Sequence, residues 1–367
     1  MQGDARFMQM AFKEALKGMG RTHPNPAVGA VIVRGGKVVG KGWHHGPGRP
    51  HAEINALREA GELARGADLY VTLEPCNTVG RTPPCTEALV SSGIARVWAA
   101  TADPNPAVRG GGAEELRKAG LVVTLGFLEE EGRRVDEAYH HFYSLGRPFV
   151  HLKIAESLDG RVVNSGNGRY ITGEEARQIV HEERFLSDAI LVSAGTVVAD
   201  DPLLTVRHGR EKKALLRVIL DSGSILNGSE RIFTTCPEGG NVLIIGPEGG
   251  VSKLDKMNGV EIHRLPVLKR GGFDLDGVLR LLRERQVVSL YVEAVGRLAG
   301  SFLRERLVDA ISIHFGSVIL GGDRGIAAVE GRITKDGSGV ALAEPKWRRA
   351  GDDMIFSARV EGRCFRD

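Results

Sequence analysis

Apolar residues recur along this chain with two periods, near 3.6 and near 2, and the switches between them mark out its elements. Phe7, Met8, Ala11, Ala15 and Leu16 share one stripe, which predicts an amphipathic helix over residues 4–18. Its methionines read as core filling. β-type runs at 28–33 and 38–43 are separated by Gly35-Gly36, a hairpin turn. His51 to Gly61 reads as a helix closed by glycine, with Ile54, Leu57 and Ala60 on its apolar face and His51 and Glu53 in its first turn. A strand at 68–73 delivers Glu74-Pro75-Cys76. Pro83 and Pro84 suit the opening of a helix that runs to Val90. Strands at 95–100 and 121–125 enclose a helix at 113–119, and one helix over 129–143 closes this half.

The pattern restarts after Ser144-Leu145-Gly146-Arg147-Pro148. Strands are predicted at 149–154, 189–192, 216–220, 241–245, 289–292 and 310–315, and helices at 172–186, 276–284 and 300–306. Alternating strands and helices imply sheets covered by helices, an α/β class. A chain of 367 residues suits two domains, here 1–145 and 148–367.

Forty-nine basic and 46 acidic residues leave a net charge of +3, spread without a basic run. That argues against nucleic acid as the main partner and leaves room for a small phosphorylated substrate. No apolar run reaches the roughly 18 residues of a membrane span, and the start has no apolar stretch of signal-peptide length. Four cysteines, of which Cys236 and Cys364 lie far from Cys76 and Cys85 and from each other, suit a reducing cytoplasm.

The chemistry concentrates in His51-Ala52-Glu53, Pro75-Cys76 and Cys85. One imidazole and two thiolates can hold zinc and leave a tetrahedral position for water, whose pKa falls from about 16 to about 7 on the metal. Glu53 is then the proton shuttle of a hydrolytic deamination. The helix opening at Cys85 favours its thiolate. Eight residues, Asn77 to Pro84, separate the cysteines, a loop long enough to return Cys85 to the metal. A structural zinc site or two plain buried thiols are the competing readings.

With these residues assembled, the chain resembles the bifunctional deaminase-reductase of riboflavin biosynthesis over nearly its whole length. The likeness rests on Thr22-His23-Pro24-Asn25-Pro26-Ala27-Val28-Gly29, His51-Ala52-Glu53, Leu73-Glu74-Pro75-Cys76 and Gly80-Arg81-Thr82-Pro83-Pro84-Cys85. In the second half it rests on Ser157-Leu158-Asp159-Gly160, Ile171-Thr172-Gly173, Gly195-Thr196-Val197, Ala199-Asp200-Asp201-Pro202 and Leu204-Thr205-Val206-Arg207. Leu298-Ala299-Gly300-Ser301-Phe302-Leu303 and Ile319-Leu320-Gly321-Gly322 add to it.

The resemblance implies a cytidine-deaminase-like α/β/α sandwich followed by a dihydrofolate-reductase-like α/β domain. It implies zinc-dependent deamination of 2,5-diamino-6-ribosylamino-4(3H)-pyrimidinone 5′-phosphate, then NADPH-dependent reduction of the ribosyl to a ribityl chain. Asn25, His44, Arg81, Asp103 and Asn105 match positions that hold the deaminase substrate. Lys153, Arg184, Leu204, Arg207 and Glu293 match positions for the reductase substrate, with Arg184 and Arg207 as phosphate clamps. Ala155, Tyr170, Thr172, Thr196, Asp200, Ser222, Gly296 and Gly300 match cofactor positions. Self-association of the chain stays open. Plainer readings stand beside several of these: a solvated loop histidine for His44, a rigid turn for Asp103-Pro104-Asn105-Pro106, and surface charge for Lys153 and Arg184.

The chain departs from the family pattern at Thr78, where histidine is usual, at Tyr170 for tryptophan, Gly168 for serine and Val295 for glycine. A β-branched residue at 295 suits neither positive φ nor close approach to phosphate, though Gly296 follows it. An active deaminase with an inactive or altered reductase half would follow if Val295 closed the cofactor site.

Overall fold

Asp4 caps α1 (Ala5–Leu16), its carboxylate accepting from the Arg6 amide at 3.0 Å. Met8, Ala11, Phe12 and Ala15 are buried on the predicted stripe. The computed structural model describes residues 3–78, 83–109, 111–162, 170–207, 213–249, 253–321 and 326–361. It divides into two units, residues 1–147 and 148–367.

In the first unit Gly35 and Gly36, both at positive φ, turn β1 (Gly29–Arg34) into β2 (Lys37–Trp43). There follow α2 (Ala52–Ala60), β3 (Asp68–Leu73), α3 (Cys85–Ser92), β4 (Arg96–Thr101), α4 (Gly111–Lys118) and β5 (Val122–Leu125). The sheet order is β2-β1-β3-β4-β5, with β3, β4 and β5 parallel and β1 antiparallel to β3. β3 and β4 are buried beyond their first residues, which is why they read as apolar runs rather than alternations. α2 lies so close on β2 that a Cβ on Gly42 would stand 2.2 Å from the Ala52 carbonyl oxygen. That close packing sets where the helix begins.

The predicted closing helix is in fact two, α5 (Glu129–Val135) and α6 (Glu137–Leu145). Asp136 between them leaves helical geometry (φ −131°, ψ 69°). Its carboxylate caps α6 by accepting from the Tyr139 amide at 3.2 Å, and it also accepts from the Ala27 amide at 2.8 Å. A contact distant in sequence thus overrides an unbroken helical period.

The second unit contains β6 (Phe149–Ser157), β7 (Arg161–Val162), α7 (Glu174–Phe185), β8 (Ala189–Ser193), α8 (Ala194–Asp200), β9 (Leu216–Leu220), β10 (Val242–Pro247) and β11 (Val260–Leu265). It continues with α9 (Leu275–Glu284), β12 (Ser289–Glu293), α10 (Gly296–Arg304), β13 (Ala310–Gly316), β14 (Ile326–Ala327), β15 (Leu342–Ala350) and β16 (Asp353–Val360). Among the described residues the main sheet has the order β11-β10-β9-β8-β12-β6-β13-β16-β15. Its strands are parallel from β11 to β13, and β16 and β15 close it antiparallel. Alternate residues feed two cores. Val150, Leu152, Leu290 and Val292 meet Leu279 and Leu282 of α9 and Phe302 of α10, while Ile190, Val192 and Ile219 meet Val180 and Phe185 of α7. Each such buried side chain contributes about 1.5–3 kcal/mol of transfer free energy, an upper estimate.

The periodicity does not announce α8, β11 or β14 to β16. β15 is an edge strand exposed from Glu344 to Arg349, so it has no apolar alternation to read. β16 does alternate, and Gly351-Asp352 joins the two strands as a two-residue hairpin turn, a legible signal.

Candidate active sites

The ends of β3 and α2 and the start of α3 converge on one point. His51 is the N-cap of α2 (φ −71°, ψ 168°), one step outside the helix rather than in its first turn, while Glu53 lies within it, buried. Cys85 opens α3 and is buried. His51 Nδ1 stands 3.5 Å from Cys76 Sγ and 3.2 Å from Cys85 Sγ. A tetrahedron with metal bonds of about 2.0–2.3 Å has edges near these lengths, so the three residues fit zinc. Among the described residues no fourth side chain joins the cluster.

The helix start acts on the other sulfur than expected. The Cys85 amide donates to Cys76 Sγ at 3.5 Å. Cys76 is pulled down to about 4, first by its hydrogen bond with Cys85, and the same bond raises Cys85. Metal binding at such a pair requires both thiols to be deprotonated. Burial pushes Glu53 up to about 7, the Cys76 charge adding to the effect and His51 opposing it.

His44 is no solvated loop residue: it is 2 % exposed. Its Nδ1 donates to the Pro50 carbonyl at 3.2 Å and its Nε2 meets Asn25 Nδ2 at 3.2 Å. Burial lowers its proton affinity. Asn25 Nδ2 can only donate, so Nε2 accepts from it, and with Nδ1 donating to Pro50 this geometry is that of the neutral ring. Its edge faces the His51 ring at 5.0 Å. Asp103 is buried and accepts from the Tyr139 hydroxyl at 3.0 Å and the Asn105 amide at 2.8 Å. Burial raises Asp103 to about 6. Asn105 Oδ1 accepts from the Ala107 amide at 3.1 Å, so the turn reading of this segment holds alongside any contact with substrate. Arg81 lies outside the described residues, as does Gly168, while Thr78 is exposed.

Sequence reasoning misses the residues that hold these loops. Asn55 donates to the carbonyls of Trp43 (2.9 Å) and Pro50 (3.3 Å), fixing the approach to His51. Glu74, buried, accepts from the amides of Ala113 (2.9 Å) and Asp103 (3.3 Å). The only hint in sequence is polarity at the edge of apolar runs.

In the second unit a cleft of about 2000 Å³ opens at the carboxyl ends of the parallel strands. Lys153 and Ala155 of β6, Glu293 of β12, Thr196 and Asp200 of α8 and Ser222 beyond β9 line it. So do Tyr170, Thr172, Leu204, Arg207 and Gly296. Single-ligand pockets run to about 1,000 Å³, so this one has room for a dinucleotide beside a sugar phosphate. Arg177, missed in the sequence, stacks its guanidinium on Tyr170 at 4.5 Å and also lines the cleft. Ser193 caps α8, accepting from the Thr196 amide at 3.2 Å.

Arg184 lines the cleft as well, and it and Gly300 make contacts that the sequence does not announce. Arg184 is not an open phosphate fork: Nε and Nη2 hold Glu293 at 2.6 and 3.0 Å, and Nη1 donates to the Thr205 carbonyl at 3.1 Å. Burial would raise Glu293, but the guanidinium holds it below the usual carboxylate range. Gly300 does not line the cleft. It lies where the backbone of Glu330 crosses α10, and a Cβ there would come within 1.9 Å of the Glu330 carbonyl oxygen. Val295 also lines the cleft; its backbone is extended (φ −136°, ψ 170°), and the positive φ falls on Gly296 (57°). Arg207 lines the cleft with its guanidinium 3.4 Å from His181, and burial lowers Lys153 below the usual amine range, partly offset by Glu293.

A three-ligand metal cluster with a buried carboxylate, and a dinucleotide-sized cleft on a separate parallel sheet, define a two-domain deaminase and reductase. The model of the cytidine and deoxycytidylate deaminase zinc-binding region matches residues 1–101, and that of the RibD C-terminal domain matches residues 148–356. The riboflavin biosynthesis protein RibD of Aquifex aeolicus is 40% identical over 96% of this chain and 97% of its own, and that of Escherichia coli 39% over 89% and 92%. The Acinetobacter baumannii RibD structure superposes with a TM-score of 0.87 at 33% identity, covering 97% of this chain and 98% of its own. The Thermotoga maritima deaminase/reductase gives 0.81 at 34% over the same shares. The chain belongs to the RibD family of bifunctional deaminase-reductases of riboflavin biosynthesis.

Proposed function

We propose that the first unit deaminates diaminohydroxyphosphoribosylaminopyrimidine, and that the second reduces the resulting 5-amino-6-(5-phosphoribosylamino)uracil with NADPH; the Thermotoga maritima relative is a deaminase and reductase named for these two compounds. The observation that carries this is the buried Glu53 beside the cluster of His51, Cys76 and Cys85. His51, Cys76 and Cys85 would hold zinc, which would supply an activated water at neutral pH. Glu53, with a proton affinity near neutrality, takes the water's proton and passes it to the departing ammonia. Asn25, oriented by neutral His44, holds the ring. Asp103 and Asn105 serve the sugar end, together with Arg81.

A nicotinamide bound in the reductase cleft would supply the hydride that C1′ of the sugar receives. Ala155, Tyr170, Thr172, Thr196, Asp200, Ser222 and Gly296 receive the cofactor. Lys153, Leu204, Arg207 and Glu293 face the substrate, with Glu293 held in place by Arg184. Free thiols at Cys76, Cys85 and Cys236 suit a reducing cytoplasm, and no described helix is long and apolar enough to cross a membrane.

The test is incubation of the protein with the diaminopyrimidine phosphate, with and without NADPH. Ammonia release should not need the nucleotide. NADPH oxidation should need the deaminated product. Oxidation with the undeaminated compound alone, when ammonia release is blocked, would overturn this order of steps.

A further inference from the structure

The first turn of α6 touches both flanks of the deaminase pocket. On one flank Asp136, 4 % exposed, accepts from the Ala27 amide at 2.8 Å and pairs with His23 Nε2 at 3.2 Å. It thereby grips both ends of the segment that carries Asn25. On the other flank Tyr139, 3 % exposed, donates its hydroxyl to Asp103 at 3.0 Å. The two residues are tied to each other, because Asp136 accepts from the Tyr139 amide at 3.2 Å. Neither is one of the three residues grouped to hold a metal, His51, Cys76 and Cys85. Burial would raise Asp136, but His23 and the two amides hold it below the usual carboxylate range, which keeps it an acceptor.

We infer that Asp136 and Tyr139 are positioning residues that set the spacing between Asn25 and Asp103, and so the fit of the pyrimidine ring and its sugar to the deaminase. This rests on the substrate reading above. The break between α5 and α6 has a purpose on this view. A continuous helix would leave Asp136 in helical geometry, unable to cap α6 and hold the 23–27 segment together. Substrate affinity should depend on this turn, while metal binding and the proton shuttle should not.

Steady-state ammonia release by the zinc-loaded full-length chain tests the inference, with zinc content and melting temperature measured alongside. In Asp136→Asn and in Tyr139→Phe, KM should rise about tenfold while kcat stays within about twofold and zinc is retained. An unchanged KM in both variants overturns the inference. If Asp136→Asn loses zinc or melts early, Tyr139→Phe decides alone, since it deletes a single oxygen. There a fall in kcat with KM unchanged also overturns it. A wild-type chain that releases no ammonia is a separate failure, which removes the deaminase reading and the inference with it.

Discussion

Glu53 owes its proton affinity to burial, which is a property of one residue's surroundings more than of the motif around it. A carboxyl group near neutrality can both take and return a proton, which an exposed glutamate does poorly. Glu53→Gln keeps the shape and removes the proton carrier. Zinc content should stay the same, and ammonia release should fall about a hundredfold or more. Unchanged release would show that another group moves the proton. At this scale the sequence is generous: His51, Cys76 and Cys85 meet as their types and spacing predict. It is less generous with Arg184, where a guanidinium reads as a phosphate clamp until Glu293 is seen bound to it. No local signal links two residues that lie 109 positions apart.

Among the elements, α7 lies against a polar layer of the sheet. Glu183 accepts from the Tyr291 hydroxyl of β12 at 2.5 Å and from Ser312 of β13 at 3.4 Å, and lies 3.4 Å from His314. Burial would raise Glu183, but His314, His151 and the Tyr291 hydroxyl bring it down to about 2. A carboxyl group whose folded value lies below its unfolded one stabilises the fold above the unfolded value, and that stability is lost as pH falls through the folded value. The reductase unit should therefore weaken between about pH 4.5 and about pH 2. Glu183→Gln should cost about 3 kcal/mol at neutral pH and flatten that slope, as followed by urea unfolding across pH. The same layer explains why β6, β12 and β13 carry His151, Tyr291, Ser312 and His314 in an otherwise apolar sheet. In the sequence these residues only dilute the strand signal. Their partner on α7 becomes visible once the sheet is assembled.

Across the whole molecule, two chemistries occupy two units, each with its own sheet. Removing zinc with a chelator should abolish ammonia release and leave NADPH oxidation with the deaminated substrate unchanged. Loss of both activities together would show that the metal supports more than the first unit. Most of the elements, the α/β class and the grouping of His51, Cys76 and Cys85 are legible in the sequence itself, because they depend on local periodicity and on residue types that zinc chemistry demands. What only the tertiary structure decided is which polar groups meet. Asp136 breaks a helix to hold the Asn25 segment. Cys76 rather than Cys85 receives the amide at the start of α3. Gly296 takes the positive φ that Val295 could not. Each outcome depends on distances between segments remote in sequence, and those distances exist only when the backbone is packed.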